Sequence, residues 1–191
     1  MDNRHIIIDL LLDTRRKGME KVVEFLDEND FFVLPASTRY QNRETGGLAC
    51  HSLSVYRFAM KLREEAIAAD PAMEKLLPVD SVTIAALLHD TCKVFNYTAD
   101  VDGGMTFRHS HRFPVGHGEK SVIALLRTGL QLTDEEIMAI RWHMGKYELP
   151  TSESSQERKE YNIAIKRTPL CDLIQRADKE ATRENLRGEK Q

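Results

Sequence analysis

The stretch Val82-Thr83-Ile84-Ala85-Ala86-Leu87-Leu88 constrains this chain more than any other: it carries almost no polarity, then stops at His89-Asp90. An apolar run this even, opened by Pro78 and Asp80-Ser81, reads as a helix buried on every side. Other elements must therefore wrap around it. At its end an imidazole and a carboxylate stand on successive residues. An unpaired carboxylate in an apolar setting costs several kcal/mol or takes up a proton. Two readings follow. Either the pair emerges where the helix surfaces, or it binds a divalent metal, the most economical partner for adjacent His and Asp.

Further residues weigh on that choice. Val55, Phe58, Ala59, Leu62 and Ala66 recur at helical spacing from His51. This puts His51 on the buried stripe of a helix opened by Thr45-Gly46-Gly47 and running to about Ala69. A core histidine held by a backbone carbonyl is the alternative there. His117 stands between Gly116 and Gly118 at the mouth of a helix carrying Val122, Ile123, Leu125 and Leu126, where the backbone can come close to a ligand. Thr133-Asp134-Glu135-Glu136 is a capping box, and the helix it opens ends at Arg141-Trp142-His143-Met144 before Gly145. His143 faces inward with Ala139 and Ile140.

The last helix starts at Thr168-Pro169, with proline in its first turn. Leu170, Leu173, Ile174, Ala177 and Ala181 share one of its faces. At about 100° per residue, Asp178 falls about 80° from Leu170 and Asp172 about 200° away. Asp178 is the inward aspartate. His51, His89, Asp90, His117, His143 and Asp178 thus form one candidate donor set, suited to Mn, Fe, Ni, Zn or Mg. Six such groups exceed what one ion takes from protein, so two ions bridged by Asp90 are feasible. A two-metal site activates water and clamps phosphoryl oxygens.

The order His51 … His89-Asp90 … Asp178, with Gly46-Gly47-Leu48 shortly before the first histidine, resembles the HD-domain metal-dependent phosphohydrolase superfamily over residues 45–182. The resemblance implies an all-α fold, an HD-domain-like helical bundle, that hydrolyses phosphomonoesters or phosphodiesters. It implies His51, His89, Asp90 and Asp178 as ligands of a first ion. His117 and His143 occupy places where dinuclear branches carry ligands for a second. Lys93, one turn past Asp90 as in the family's HDxxK pattern, is implied to hold a substrate phosphate and, with Asp90, to carry catalysis. Thr91-Cys92 stands where members commonly have Ile-Gly, and Gly145-Lys146-Tyr147 follows His143 in place of Gly-Tyr-Pro.

The remaining segments are read around this core. Residues 1–44 are expected to be N-terminal helices and a loop packing on it. Two short helices over 3–28 break near Thr14 to Gly18, Phe31 to Pro35 is extended, and a polar loop runs to Asn42. Residues 45–191 are expected to be the phosphohydrolase domain, the whole making a single globular unit. Asp102-Gly103-Gly104, flanked by Lys93 to Thr98 and Met105 to His109, predicts a small β-hairpin insertion around residues 94–109. Thr151 to Glu160 reads as a solvated loop.

A balance of 41% hydrophobic and 30% charged residues suits a soluble globular chain, and the net charge of −3 opposes broad affinity for nucleic acid. Only Arg108 to Arg112, with Phe107 and Phe113, hints at a groove for single strands. Ile6 to Leu12 is too short and interrupted for a membrane span or signal core. Cys50, Cys92 and Cys171 lack CxxC spacing and are expected as reduced thiols in the cytoplasm, most simply as small buried hydrophobes. The expected function is a cytoplasmic metal-dependent phosphohydrolase that cleaves a small phosphoester, such as a nucleotide, with a metal-activated hydroxide. Lys93, Arg141, Lys146 and Arg112 are the expected substrate contacts. The alternatives are a single-strand nuclease and a non-catalytic metal- or nucleotide-binding regulatory domain.

Overall fold

The computed structural model describes residues 2–37, 44–99, 105–107 and 115–188. Its body is all-α. In chain order the helices are α1 (Asn3–Asp13), α2 (Met19–Glu28), α3 (Gly47–Ala69), α4 (Met73–Leu76), α5 (Val79–Leu88), α6 (His117–Arg127), α7 (Asp134–Arg141), α8 (Gln156–Arg167) and α9 (Pro169–Gly188). Short 3-10 helices follow α5 at Thr91–Phe95 and α7 at Gly145–Glu148. No helix among the described residues is long and apolar enough to cross a membrane.

α5 is buried without interruption from Ser81 to Leu88, as a sequence with no polar face requires. α1, α3, α7 and α9 pack around it. Ile84, Leu87 and Leu88 are wholly inaccessible, and burial of each such side chain contributes about 1.5–3 kcal/mol. α1 and α2 add Ile7, Leu11, Val22 and Leu26 to the same core.

The turn between α1 and α2 is fastened to the far side of the bundle. At Gly18 (φ 92°) a Cβ would lie 2.4 Å from the Gly129 carbonyl oxygen, so only glycine lets the two turns meet. Arg16 then reaches Glu136 with two bonds of 2.7 and 2.8 Å. The Glu136 side chain is fully buried, accepts from Ser81 Oγ at 2.7 Å and completes the expected capping box with Thr133. One carboxylate caps α7 and ties it to α5 and to the N-terminal turn.

Three expectations need correction. Phe31 to Leu34 is not extended: Phe31 N–H donates to Leu26 O and Leu34 N–H to Asp30 O, both at 3.0 Å, wrapping Phe31 and Leu34 back into the core. The supposed loop 151–160 contains the start of α8, with Ser155 as its cap. Lys93-Val94-Phe95 winds as a 3-10 turn, held at its start by Thr91 Oγ1 donating to Leu88 O at 2.8 Å.

The β-hairpin expected over residues 94–109 is therefore not supported at that extent. Two three-residue strands, Tyr97–Ala99 and Met105–Phe107, pair antiparallel with Tyr97 opposite Phe107. The Asp102-Gly103-Gly104 turn, the arginines and histidines at 108–112, and the loop around Asn42 lie outside the described residues.

Candidate metal centre

α5 ends at His89, and Asp90 leaves helical geometry (φ −101°, ψ 17°). The break turns both side chains out of the apolar sheath yet leaves them buried. His51 enters from the second turn of α3, His117 from the first residue of α6, His143 from the turn after α7, and Asp178 from α9. Three of the resulting imidazole pairs are in contact, with centroids 5.4 Å apart for His51–His89, 4.9 Å for His89–His143 and 5.3 Å for His117–His143.

Asp90 sits at the middle of this row, and its two oxygens face different histidines. Oδ2 lies 3.5 Å from His89 Nε2 and 3.8 Å from His51 Nε2. Oδ1 lies 2.5 Å from His117 Nε2 and 3.5 Å from His143 Nε2. Lys93 Nζ is 2.6 Å from Oδ2, and Asp178 Oδ1 is 3.1 Å from His51 Nε2. Among the described residues, donor atoms close enough to share one cation form two groups, His51–His89–Asp90 and Asp90–His117–His143.

The ring nitrogens facing away from Asp90 show that these groups fit a divalent metal. His89 Nδ1–H donates to Ala86 O at 2.8 Å, and His143 Nδ1–H donates to Ile140 O at 2.7 Å. Each carbonyl fixes the ring proton on Nδ1 and leaves Nε2 a lone pair directed toward Asp90. Both Nε2 atoms are buried without a hydrogen-bond partner. A buried polar atom left so costs about 1–3 kcal/mol. A cation between the lone pairs and the carboxylate removes that cost and is the partner this donor chemistry selects.

Without a cation, the charges in the cluster are set by these same contacts. Burial opposes ionisation of Asp90, but Lys93, His89, the bond with His117 and the nearby His143 imidazole together hold its carboxyl well below the usual range. Burial likewise opposes the charge on Asp178, which His51 and the neighbouring imidazoles nonetheless bring down to about 2. Lys93 pays desolvation but is raised by Asp90. Desolvation disfavours charge on His117 too, yet Cys92 and Asp90, on its two nitrogens, raise it well above an ordinary histidine. Burial lowers His143.

Five of the six sequence-predicted donors fall in these two groups, while Asp178 joins them through His51 and Lys93 through Asp90. The Asp178 side chain is 20% exposed and that of Asp172 55%, as helical phase required. Arg141 is engaged by other groups: its guanidinium lies 3.9 Å over the Trp142 ring and pairs with Glu119, with Glu157 at 2.9 Å and with Glu148 at 3.9 Å. Lys146 is exposed on the 3-10 turn after His143, and Arg112 lies outside the described residues.

The glycines around His117 also serve another purpose than close approach to a ligand. A Cβ at Gly118 would sit 2.1 Å from Arg141 O, so glycine lets α6 close onto the end of α7. Sequence reasoning missed the residues that steady the site. Glu148 accepts the His117 backbone N–H at 3.0 Å, and Gln175 donates to Trp142 O at 2.8 Å. Cys92 Sγ lies 3.3 Å from His117 Nδ1. Only Cys92 carried a signal, its place inside the HDxxK segment.

Fold and site together define a class: a helical protein built around a buried histidine–aspartate cluster of metal-binding type. Residues 48–183 match the HD domain, and the chain belongs to that family. It is 32% identical over 127 residues to the dihydroneopterin 2′,3′-cyclic phosphate phosphodiesterase of Methanocaldococcus jannaschii. That similarity covers 64% of this chain and 46% of the relative, so the chain spans about half the relative's length. No solved structure matches the chain.

Proposed function

We propose that this chain is a metal-dependent phosphohydrolase that cleaves a phosphodiester or phosphomonoester of a small nucleotide-like molecule. The observation that carries the reading is the division of Asp90, one oxygen toward His51 and His89 and the other toward His117 and His143. In this reading His51, His89, Asp90 and Asp178 hold one divalent ion, and Asp90, His117 and His143 hold a second. Bound there, the two ions supply a nucleophile at neutral pH and Lewis acidity toward the phosphoryl oxygens.

The chain's own residues do the rest. Lys93, kept charged beside Asp90, offsets negative charge that grows on a phosphoryl oxygen. Lys146, exposed just beyond His143, offers a second cation to the substrate, whereas Arg141 is taken up by Glu119, Glu148 and Glu157. α1 and α2 act as a brace, since Ile7, Leu11, Val22 and Leu26 are part of the core rather than of a movable cover. The relative's name points to a cyclic phosphodiester as the first substrate to try. A net charge of −3 favours such a small phosphoester over long nucleic acid, in keeping with a cytoplasmic enzyme.

The test is turnover by the Mn²⁺-loaded chain on a panel of 2′,3′-cyclic and linear nucleotide phosphoesters. The wild type should hydrolyse at least one. Lys93→Ala should cost roughly 10²-fold or more in turnover with metal content unchanged, as removal of a single charge-stabilising donor does elsewhere. A metal-loaded wild type silent on the whole panel would refute the reading.

A further inference from the structure

Three of the four metal-facing histidines have a partner on the other ring nitrogen, whereas His51 Nδ1 is buried without one, and for those three position on the helix decides what the partner is. His89 and His143 follow helix ends, where the carbonyl three residues earlier is free, and they use Ala86 O and Ile140 O. His117 instead opens α6. A helix start presents N–H groups and no free carbonyl, so its Nδ1 must look outside its own helix.

What it meets is the sulfur of Cys92, at 3.3 Å. Cys92 is fully buried, and its backbone N–H donates to Ser121 Oγ at 3.1 Å. That bond fastens the 3-10 turn after Asp90 to α6 close to where sulfur meets ring. Glu148 holds the His117 backbone from the other side.

We propose that Cys92 is a positioning residue for His117: its sulfur accepts Nδ1–H, aims Nε2 at Asp90 Oδ1 and thereby sets the affinity of the ion shared by His117 and His143. The inference rests on the two-ion reading above. Outer partners of this kind tune metal affinity by about 10- to 100-fold. Thr91-Cys92 then has a purpose of its own in this chain, because the thiol replaces the carbonyl that a helix start cannot offer.

The test is Mn²⁺ titration calorimetry on chelator-treated wild type, Cys92→Val and Cys92→Ser, with melting temperatures recorded for each. Valine fills the thiol's space without an acceptor, whereas serine keeps one. The wild type should show two sites. Cys92→Val should leave the first unchanged and weaken the second about 10- to 100-fold, and Cys92→Ser should restore most of that loss. If Cys92→Val does not fold, Cys92→Ala carries the same comparison. Equal binding by valine variant and wild type overturns the inference alone, as does equal loss in the valine and serine variants or equal weakening of both sites. A wild type with a single site overturns the two-ion reading and the inference with it.

Discussion

Asp178 and Asp172 lie less than two turns apart on α9, and replacing each by asparagine separates the site from the surface. The Asp178 carboxylate is 3.1 Å from His51 Nε2 and 20% exposed. Asparagine keeps the size and one acceptor but removes the charge. Hydrogen bonds to charged groups contribute about 1.5–3 kcal/mol. At about 1.4 kcal/mol per tenfold, the affinity of the His51–His89–Asp90 group for Mn²⁺ should fall roughly 10- to 150-fold. Asp172 is 55% exposed and 3.6 Å from an equally exposed Arg176, so Asp172→Asn should stay within about 0.5 kcal/mol of wild type. Titration with Mn²⁺ and turnover at limiting metal read both variants. The pH dependence carries a sign as well. Because the Asp178 pKa is depressed from 3.8 to about 2, its contribution to the metal-free fold is complete above the ordinary carboxylate range and is lost as pH falls through that interval. Asp178→Asn should lack that component of acid unfolding. An impaired Asp172→Asn beside an unimpaired Asp178→Asn would refute the assignment of α9's inner face.

Arg16→Ala should strip the buried Glu136 of its charged partner and cost about 3–5 kcal/mol, a fall of several degrees in melting temperature; an unchanged melt would show that the pair contributes nothing. Gly118→Ala would drive a Cβ into Arg141 O, costing about 1–3 kcal/mol and loosening the His117–His143 ion. A variant with wild-type melting temperature and wild-type Mn²⁺ binding would contradict that account of the glycine.

What was legible in the sequence is what a single helix determines by itself. α5 could be read because every residue from Val82 to Leu88 is apolar or small, and Asp178 because one helical phase separates it from Asp172. His51 and His143 followed from apolar neighbours at helical spacing. α8 escaped because only Tyr161 and Ala164 of it are buried, too thin a stripe to register a period. Phe31-Phe32-Val33 has the composition of a strand, but Phe31 and Leu34 reach the core only by turning. Arg141 was expected to offset charge on phosphoryl oxygens, and its carboxylate partners were not legible. The three carboxylates that engage it, Glu119, Glu148 and Glu157, arrive from separate segments that no local pattern connects. Cys92 and His117 are 25 residues apart, and only the fold shows that they touch.

Asp90 turns one oxygen toward His51 and His89 and the other toward His117 and His143, so it would help hold both ions of the proposed pair. Equilibrium Mn²⁺ binding to wild type, His51→Ala, His143→Ala and Asp90→Asn tests it most directly. About two ions per wild-type chain are expected, about one for each histidine variant, and weakening of both sites together in Asp90→Asn, following two-metal logic. A wild type that saturates at one ion, or an Asp90→Asn that loses one ion and binds the other normally, would contradict that arrangement.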